Sequence, residues 1–202
     1  MMKSVVAGVG LSAALVALPA AAQLNLSGLY AGVGVGQSKA KDWCTGAVFI
    51  SCDDKDTAWK IFGGYQFNPH FAVEGGYADL GKVKGSGVTS GVNLDASTKL
   101  SAWDVAAVGS WPFASQFSVF GKLGAYYGTV DSTGTASGAG GSASAAAKDS
   151  NVGFTYGLGA RYDFTRNLAA RAEWQRYNKM GGDNTGKSDV DVLGLSLLWK
   201  FI

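Results

Sequence analysis

Apolar and polar residues alternate along most of this chain with a period of two, the mark of strands whose two faces meet different surroundings. Eight such runs stand out, at 27–37, 57–67, 70–80, 98–111, 117–130, 151–164, 168–178 and 189–201. Each is close to the length of a tilted membrane-crossing strand, about 9–11 residues or slightly more. Short links at Asn68-Pro69, at 112–116 and at Thr165-Arg166-Asn167 alternate with long ones at 38–56, 81–97, 131–150 and 179–188. Pro69 and Pro112 fall in the short links, and no strand interior carries a proline, as a hydrogen-bonded ladder requires. Tight turns at one end and long loops at the other predict an up-and-down barrel with two distinct ends.

The character of the two faces sets the environment. In 57–67 one face reads Trp59, Ile61, Gly63, Tyr65, Phe67, and the other carries Lys60, Gly64 and Gln66. In 151–164 Phe154, Tyr156, Leu158, Ala160, Tyr162 and Phe164 oppose Thr155, Gly157, Gly159, Arg161 and Asp163. Eight strands enclose little more than their own inward side chains. Such a lumen cannot hold this many aromatic rings, so the oily face points out to lipid and the small and polar face points in. The prediction is an eight-stranded antiparallel up-and-down transmembrane β-barrel, closed so that no strand edge is bare in the bilayer. Tyr65, Phe67, Phe71, Trp111, Phe117, Tyr162, Phe164, Trp199 and Phe201 lie near the short turns or the last strand's end, as a periplasmic aromatic girdle would. Trp59, Tyr77, Trp103, Tyr127, Phe154 and Trp174 fall near the opposite interface. A soluble β-sandwich with these aromatics in its core is the competing architecture.

The first residues follow a different pattern. Lys3, an apolar run from Val5 to Leu18 and Ala20-Ala21-Ala22 read as a signal peptide over 1–22, cleaved between Ala22 and Gln23, with the barrel over 23–202. The run is shorter than the roughly 20 residues of a membrane anchor. Export leads to an oxidising compartment, where Cys44 and Cys52 are expected to form a disulfide. The net charge of +2, without a Lys/Arg cluster, argues against nucleic acid.

Catalysis and metal binding have little to work with. The one histidine, His70, stands at a short turn on the periplasmic side, away from the outer leaflet where a lipid-modifying enzyme would need it. No catalytic residue, cofactor or metal site is expected. The acids of Cys52-Asp53-Asp54-Lys55-Asp56 lack the spacing of a calcium loop. The stretch 131–150, nearly all Gly, Ala, Ser and Thr, is expected to be mobile and without fixed structure.

Three blocks carry a family resemblance. They are Phe62-Gly63-Gly64-Tyr65-Gln66-Phe67-Asn68-Pro69 running on to Val73-Glu74-Gly75-Gly76-Tyr77, Gly159-Ala160-Arg161-Tyr162-Asp163 with Ala170-Arg171-Ala172-Glu173-Trp174-Gln175, and Leu193-Gly194-Leu195-Ser196 with Trp199-Lys200-Phe201. In order and spacing the chain resembles the transmembrane domain of OmpA-like outer-membrane proteins over nearly all of 27–201. The resemblance implies a charged network inside the lumen, at Glu74, Lys122, Arg171 and Glu173. Lys60, Asp104, Arg161, Asp163 and Lys200 share that inward face, giving five cations and four anions, with Asp104 expected to face Arg161 in a charge swap. It also implies the outer membrane as location, its lipid and lipopolysaccharide as surroundings, and the barrel-assembly machinery as a partner in biogenesis. A monomer is expected, and the sequence identifies no partner for the loops. The peptidoglycan-binding domain of the best-known members is not expected, because the sequence stops at Ile202. Two functions remain open: a structural or surface-interaction protein with a filled lumen, or a narrow porin-like channel for ions or small solutes. A channel for hydrophobic compounds would need a lateral gap between strands.

Overall fold

The alternation is realised as strands throughout. The computed structural model describes residues 28–41, 51–89 and 91–201. Its strands are β1 (Leu29–Ala40), β2 (Ser51–Asp53), β3 (Lys55–Gln66), β4 (Phe71–Thr89), β5 (Val92–Pro112), β6 (Phe117–Gly138), β7 (Gly141–Asp163), β8 (Leu168–Gly182) and β9 (Gly186–Lys200). β3 pairs with β1, β1 with β9, and sequential neighbours continue to β4, which also pairs with β5 and so closes a ring of eight antiparallel strands. The ninth, β2, is a short piece beside the upper part of β4, with Cys52 opposite Gly85. The seam is made by the first and last strands, from Tyr30↔Lys200 to Ala40↔Val190. The expected signal segment over 1–22, the expected cleavage site at Ala22–Gln23 and Cys44 lie outside the described residues.

The predicted faces hold. Val33, Ile61, Trp103, Leu123, Phe154 and Leu195 point outward and are exposed on the lipid side. Rings of the outer interface touch one another, Trp59 against Tyr77 at 5.7 Å and Tyr77 against Trp103 at 4.9 Å between centroids. At the other interface Phe117 meets Tyr162 at 4.7 Å.

The outer ends differ from expectation. β4 and β5 stay paired up to Thr89↔Val92, and β6 and β7 up to Gly138↔Gly141. The stretches 81–97 and 131–150 are therefore largely hairpin, and 131–150 is not structureless. A ladder is held by backbone hydrogen bonds, which Ser, Thr, Ala and Gly make as well as any residue, and a register set in the membrane carries on beyond it. Gly91 and Gly141, both at positive φ, sit at the two tight turns. The β7–β8 ladder, by contrast, ends at Thr155↔Tyr177. Above it, side chains fasten the β8–β9 turn to β7. Asp149 accepts hydrogen bonds from the backbone N–H of Asn184 and Thr185 at 3.0 and 2.9 Å, and Asn151 donates to the Lys179 carbonyl at 2.9 Å.

The lumen holds more bulk than its small and polar sequence face suggests. Tyr30, Phe62, Phe120, Tyr126 and Tyr177 all point inward and are buried. Glycines opposite them supply the room. A Cβ added at Gly153 would come within 2.6–2.7 Å of the Tyr126 ring and hydroxyl, and one at Gly159 within 2.5 Å of Phe120. Large and small inward residues thus fill the interior by complementarity.

Candidate functional site

The middle of the lumen holds six charged side chains. β4 contributes Glu74, β3 Lys60, β5 Asp104, β6 Lys122, and β8 both Arg171 and Glu173, which alternate inward two residues apart. Lys122 Nζ lies 2.6 Å from Glu74 Oε1, 3.4 Å from Glu173 Oε1 and 4.0 Å from Asp104 Oδ2. Arg171 Nη1 reaches Glu74 Oε2 at 2.7 Å and Glu173 Oε2 at 3.4 Å. Lys60 Nζ is 2.9 Å from Glu173 Oε1. Three cations therefore face three anions in a neutral, interlocked group. Neutrality matters because taking an unpaired charge from water costs several kcal/mol. Two tyrosines add acceptor satisfaction. The Tyr30 hydroxyl donates to Glu74 at 3.2 Å, and that of Tyr177 donates to Asp104 at 3.5 Å. The Arg171 guanidinium sits between the rings of Phe62 and Phe120, 5.1 and 4.5 Å from their centroids.

Apolar tiers bound this group on both sides. Toward the short turns lie Tyr30, Phe62, Ala72, Val108, Phe120, Ala169 and Leu198. Toward the long hairpins lie Ala78, Leu80, Leu100, Ala102, Tyr126, Val130, Tyr177 and Met180, among others. Four strands run through the same succession of apolar, charged and apolar inward positions: Ala72–Glu74–Ala78, Val108–Asp104–Ala102, Phe120–Lys122–Tyr126 and Ala169–Arg171–Tyr177. Beside the ions the lumen also holds buried polar side chains, Thr155, Gln175 and Ser196, with Gln175 Nε2 donating to Thr155 Oγ1 at 2.9 Å.

Arg161 and Asp163 do not join the cluster. Arg161 Nη2 pairs with Asp163 Oδ1 at 3.0 Å, and Lys200 Nζ meets the same oxygen at 2.7 Å, at the periplasmic mouth. The expected contact between Asp104 and Arg161 is not made. In register Asp104 stands opposite Tyr126 on β6, and Arg161 opposite Ser118, eight residues earlier on that strand and nearer the short turns. Sharing the inward face settles direction only, and the ladder settles height. The tyrosines and the two aromatic neighbours of Arg171 were not singled out from sequence, although Tyr30 and Phe62 share the parity of the small and polar face.

Elsewhere little chemistry gathers. His70 Nδ1 lies 3.2 Å from the Ser110 carbonyl, and its backbone N–H donates to Asn68 Oδ1 at 2.8 Å. Among the described residues no three His, Cys, Asp or Glu side chains come together as a metal site.

A family model described as the OmpA-like transmembrane domain matches residues 25–202. The chain belongs to that family. Outer membrane protein A of Salmonella typhi is 30% identical over 178 residues, which are 85% of this chain and 48% of that protein. The protein of the same name from Shigella flexneri is 29% identical over 142 residues, 69% of this chain and 39% of that one. This OmpA-like chain thus spans half or less of the length of these relatives. Among solved structures it is similar to Ail, the attachment invasion locus protein of Yersinia pestis, with a TM-score of 0.55 and 20% identity over 87% of this chain and 99% of that one. Neisserial surface protein A gives 0.54 and 20%, covering 87% and 98%. At that identity these two speak for the barrel fold alone. The OmpA-like domain is an integral β-barrel of the cell outer membrane.

Proposed function

We propose that this barrel is a closed, non-catalytic element of the outer membrane, contributing to envelope integrity and presenting its outer hairpins to the surroundings. The observation that supports this reading is the interlocked, neutral ion cluster in mid-lumen, with buried apolar side chains on both sides of it. The outward reach supports the second half. From Trp103, at the outer aromatic belt, β5 continues ten residues to Asn93, roughly 30 Å of strand. The same reading includes a cleaved signal peptide at 1–22, a Cys44–Cys52 disulfide, a monomer, lipid and lipopolysaccharide as neighbours, and the barrel-assembly machinery as the route of insertion.

Planar-bilayer recording of the mature chain, residues 23–202, tests it. Silent bilayers, with insertion verified by protease protection, are expected. Reproducible conductance steps that change in Glu74→Gln would overturn the closed reading and establish the narrow channel instead.

A further inference from the structure

The periplasmic mouth is a cavity of 420 Å³ lined by inward and turn residues of several strands. Its size falls within the range of small-molecule sites, about 300–1,000 Å³. Its floor is the lower apolar tier, since Phe120, Val108 and Leu198 are each one inward position deeper than the lining residues Ser118, Ser110 and Lys200. On the closed reading proposed above, such a cavity holds a solute rather than passing it. Because it lies inside the ring of strands, the barrel wall separates it from membrane lipid.

Its charge is unbalanced, unlike that of the cluster above. Among the described residues, Arg161, Arg166 and Lys200 line it together with a single acid, Asp163. Both Arg161 and Lys200 crowd onto one oxygen of that acid, Oδ1, at 3.0 and 2.7 Å. Arg166 has no ion pair among the described residues. Arg161 stands directly opposite Arg171 on the β7–β8 ladder, but its own acid is Asp163 and not those of the central cluster. Around the cations the lining turns to neutral hydrogen-bonding groups at Gln66, Ser110, Gln116 and Ser118.

We propose that this mouth binds a small soluble phosphate monoester carrying hydroxyl groups, of the phosphorylated-sugar class. The excess of two positive charges matches one dianionic group. Convergence of Arg161 and Lys200 on a single point favours charge concentrated on a phosphate, with three acceptor oxygens, over charge divided between two carboxylates. The amides and hydroxyls suit the sugar.

Calorimetric titration of the folded barrel in phosphatidylcholine nanodiscs with glucose 6-phosphate tests the site, with glucose and succinate as controls. Saturable binding of glucose 6-phosphate is expected, weakened by salt, with no heat from glucose and at least about tenfold weaker binding of succinate. Arg166→Gln, an exposed turn variant, and Lys200→Gln are each expected to weaken binding about tenfold, the loss of one charge-assisted hydrogen bond. Gel migration with and without heating verifies that both variants are folded. Absence of saturable binding, equal affinity for succinate, or full affinity in the folded Arg166→Gln/Lys200→Gln double variant would overturn the assignment.

Discussion

Arg161 and Arg171 face each other across the β7–β8 ladder, yet Arg171 sits in a neutral ionic cluster while Arg161 shares one carboxylate with Lys200. The two arginines should therefore respond differently to truncation. Arg171→Ala leaves Glu74 and Glu173 short of a cation in a buried place and is expected to cost about 3–5 kcal/mol. Arg161→Ala removes a half-buried excess charge and should cost about 1 kcal/mol or less. Urea unfolding in lipid vesicles measures both, and equal losses would contradict the division of the lumen charges into two groups.

Glu74 and Lys122 meet at 2.6 Å with both side chains buried. Glu74→Gln alone should destabilise by about 3 kcal/mol or more, because Lys122 and Arg171 each lose a counter-charge. Combining it with Lys122→Met should give a smaller loss than the sum of the two single losses, with a coupling of about 1–3 kcal/mol in the double-mutant cycle. Additive losses would show that the ions do not act as a unit.

Gly153 clears space for Tyr126, and all three of the nearest atoms to an added Cβ belong to that tyrosine. Gly153→Ala is expected to cost about 1–3 kcal/mol by overpacking. In a Tyr126→Leu background the same change should cost distinctly less. The readout is again the unfolding midpoint, and an undiminished penalty would place the strain elsewhere.

The Asp149 carboxylate is held below the usual carboxylate range, first by the Asn184 side-chain amide and then by the Thr185 hydroxyl and two backbone N–H groups. A folded-state pKa below the unfolded one means that the latch is complete at neutral pH. It is lost only as pH falls through the lowered value. Amide protection factors at Asn184 and Thr185, corrected for the intrinsic exchange rate at each pH, should stay high at pH 7 and 5 and fall in more acid solution. Asp149→Ala should show fast exchange at pH 7, and protection that survives in that variant would dissociate the turn from Asp149.

Much of this was legible in the chain itself. The strands at membrane level, their outward aromatics and the shared inward face of Lys60, Glu74, Lys122, Arg171 and Glu173 all follow from a period of two, because lipid on one side and a crowded lumen on the other impose opposite demands on neighbouring residues. The upper halves of β6 and β7 escaped notice because, once clear of the bilayer, no solvent contrast distinguishes one face from the other. Ser132, Thr133 and Ala145 then look like linker although their backbones are paired. The position of Asp104 escaped for another reason. Residues on the same face of a tilted barrel can stand far apart along the axis, and only the ladder between Asp104 and Tyr126 fixes its height.

The seam between β1 and β9 joins Tyr30 to Lys200, partners 170 residues apart in the chain. No local hairpin can substitute for that contact, so the ring is completed only when β9, the last of its eight strands in chain order, is in place. Until then β1 and β8 both present bare edges that water or a helper protein must satisfy, since lipid cannot. Loss of contacts deep in β9 would therefore impair the act of closing itself, and a barrel of this order folds as a whole or remains an open, aggregation-prone sheet.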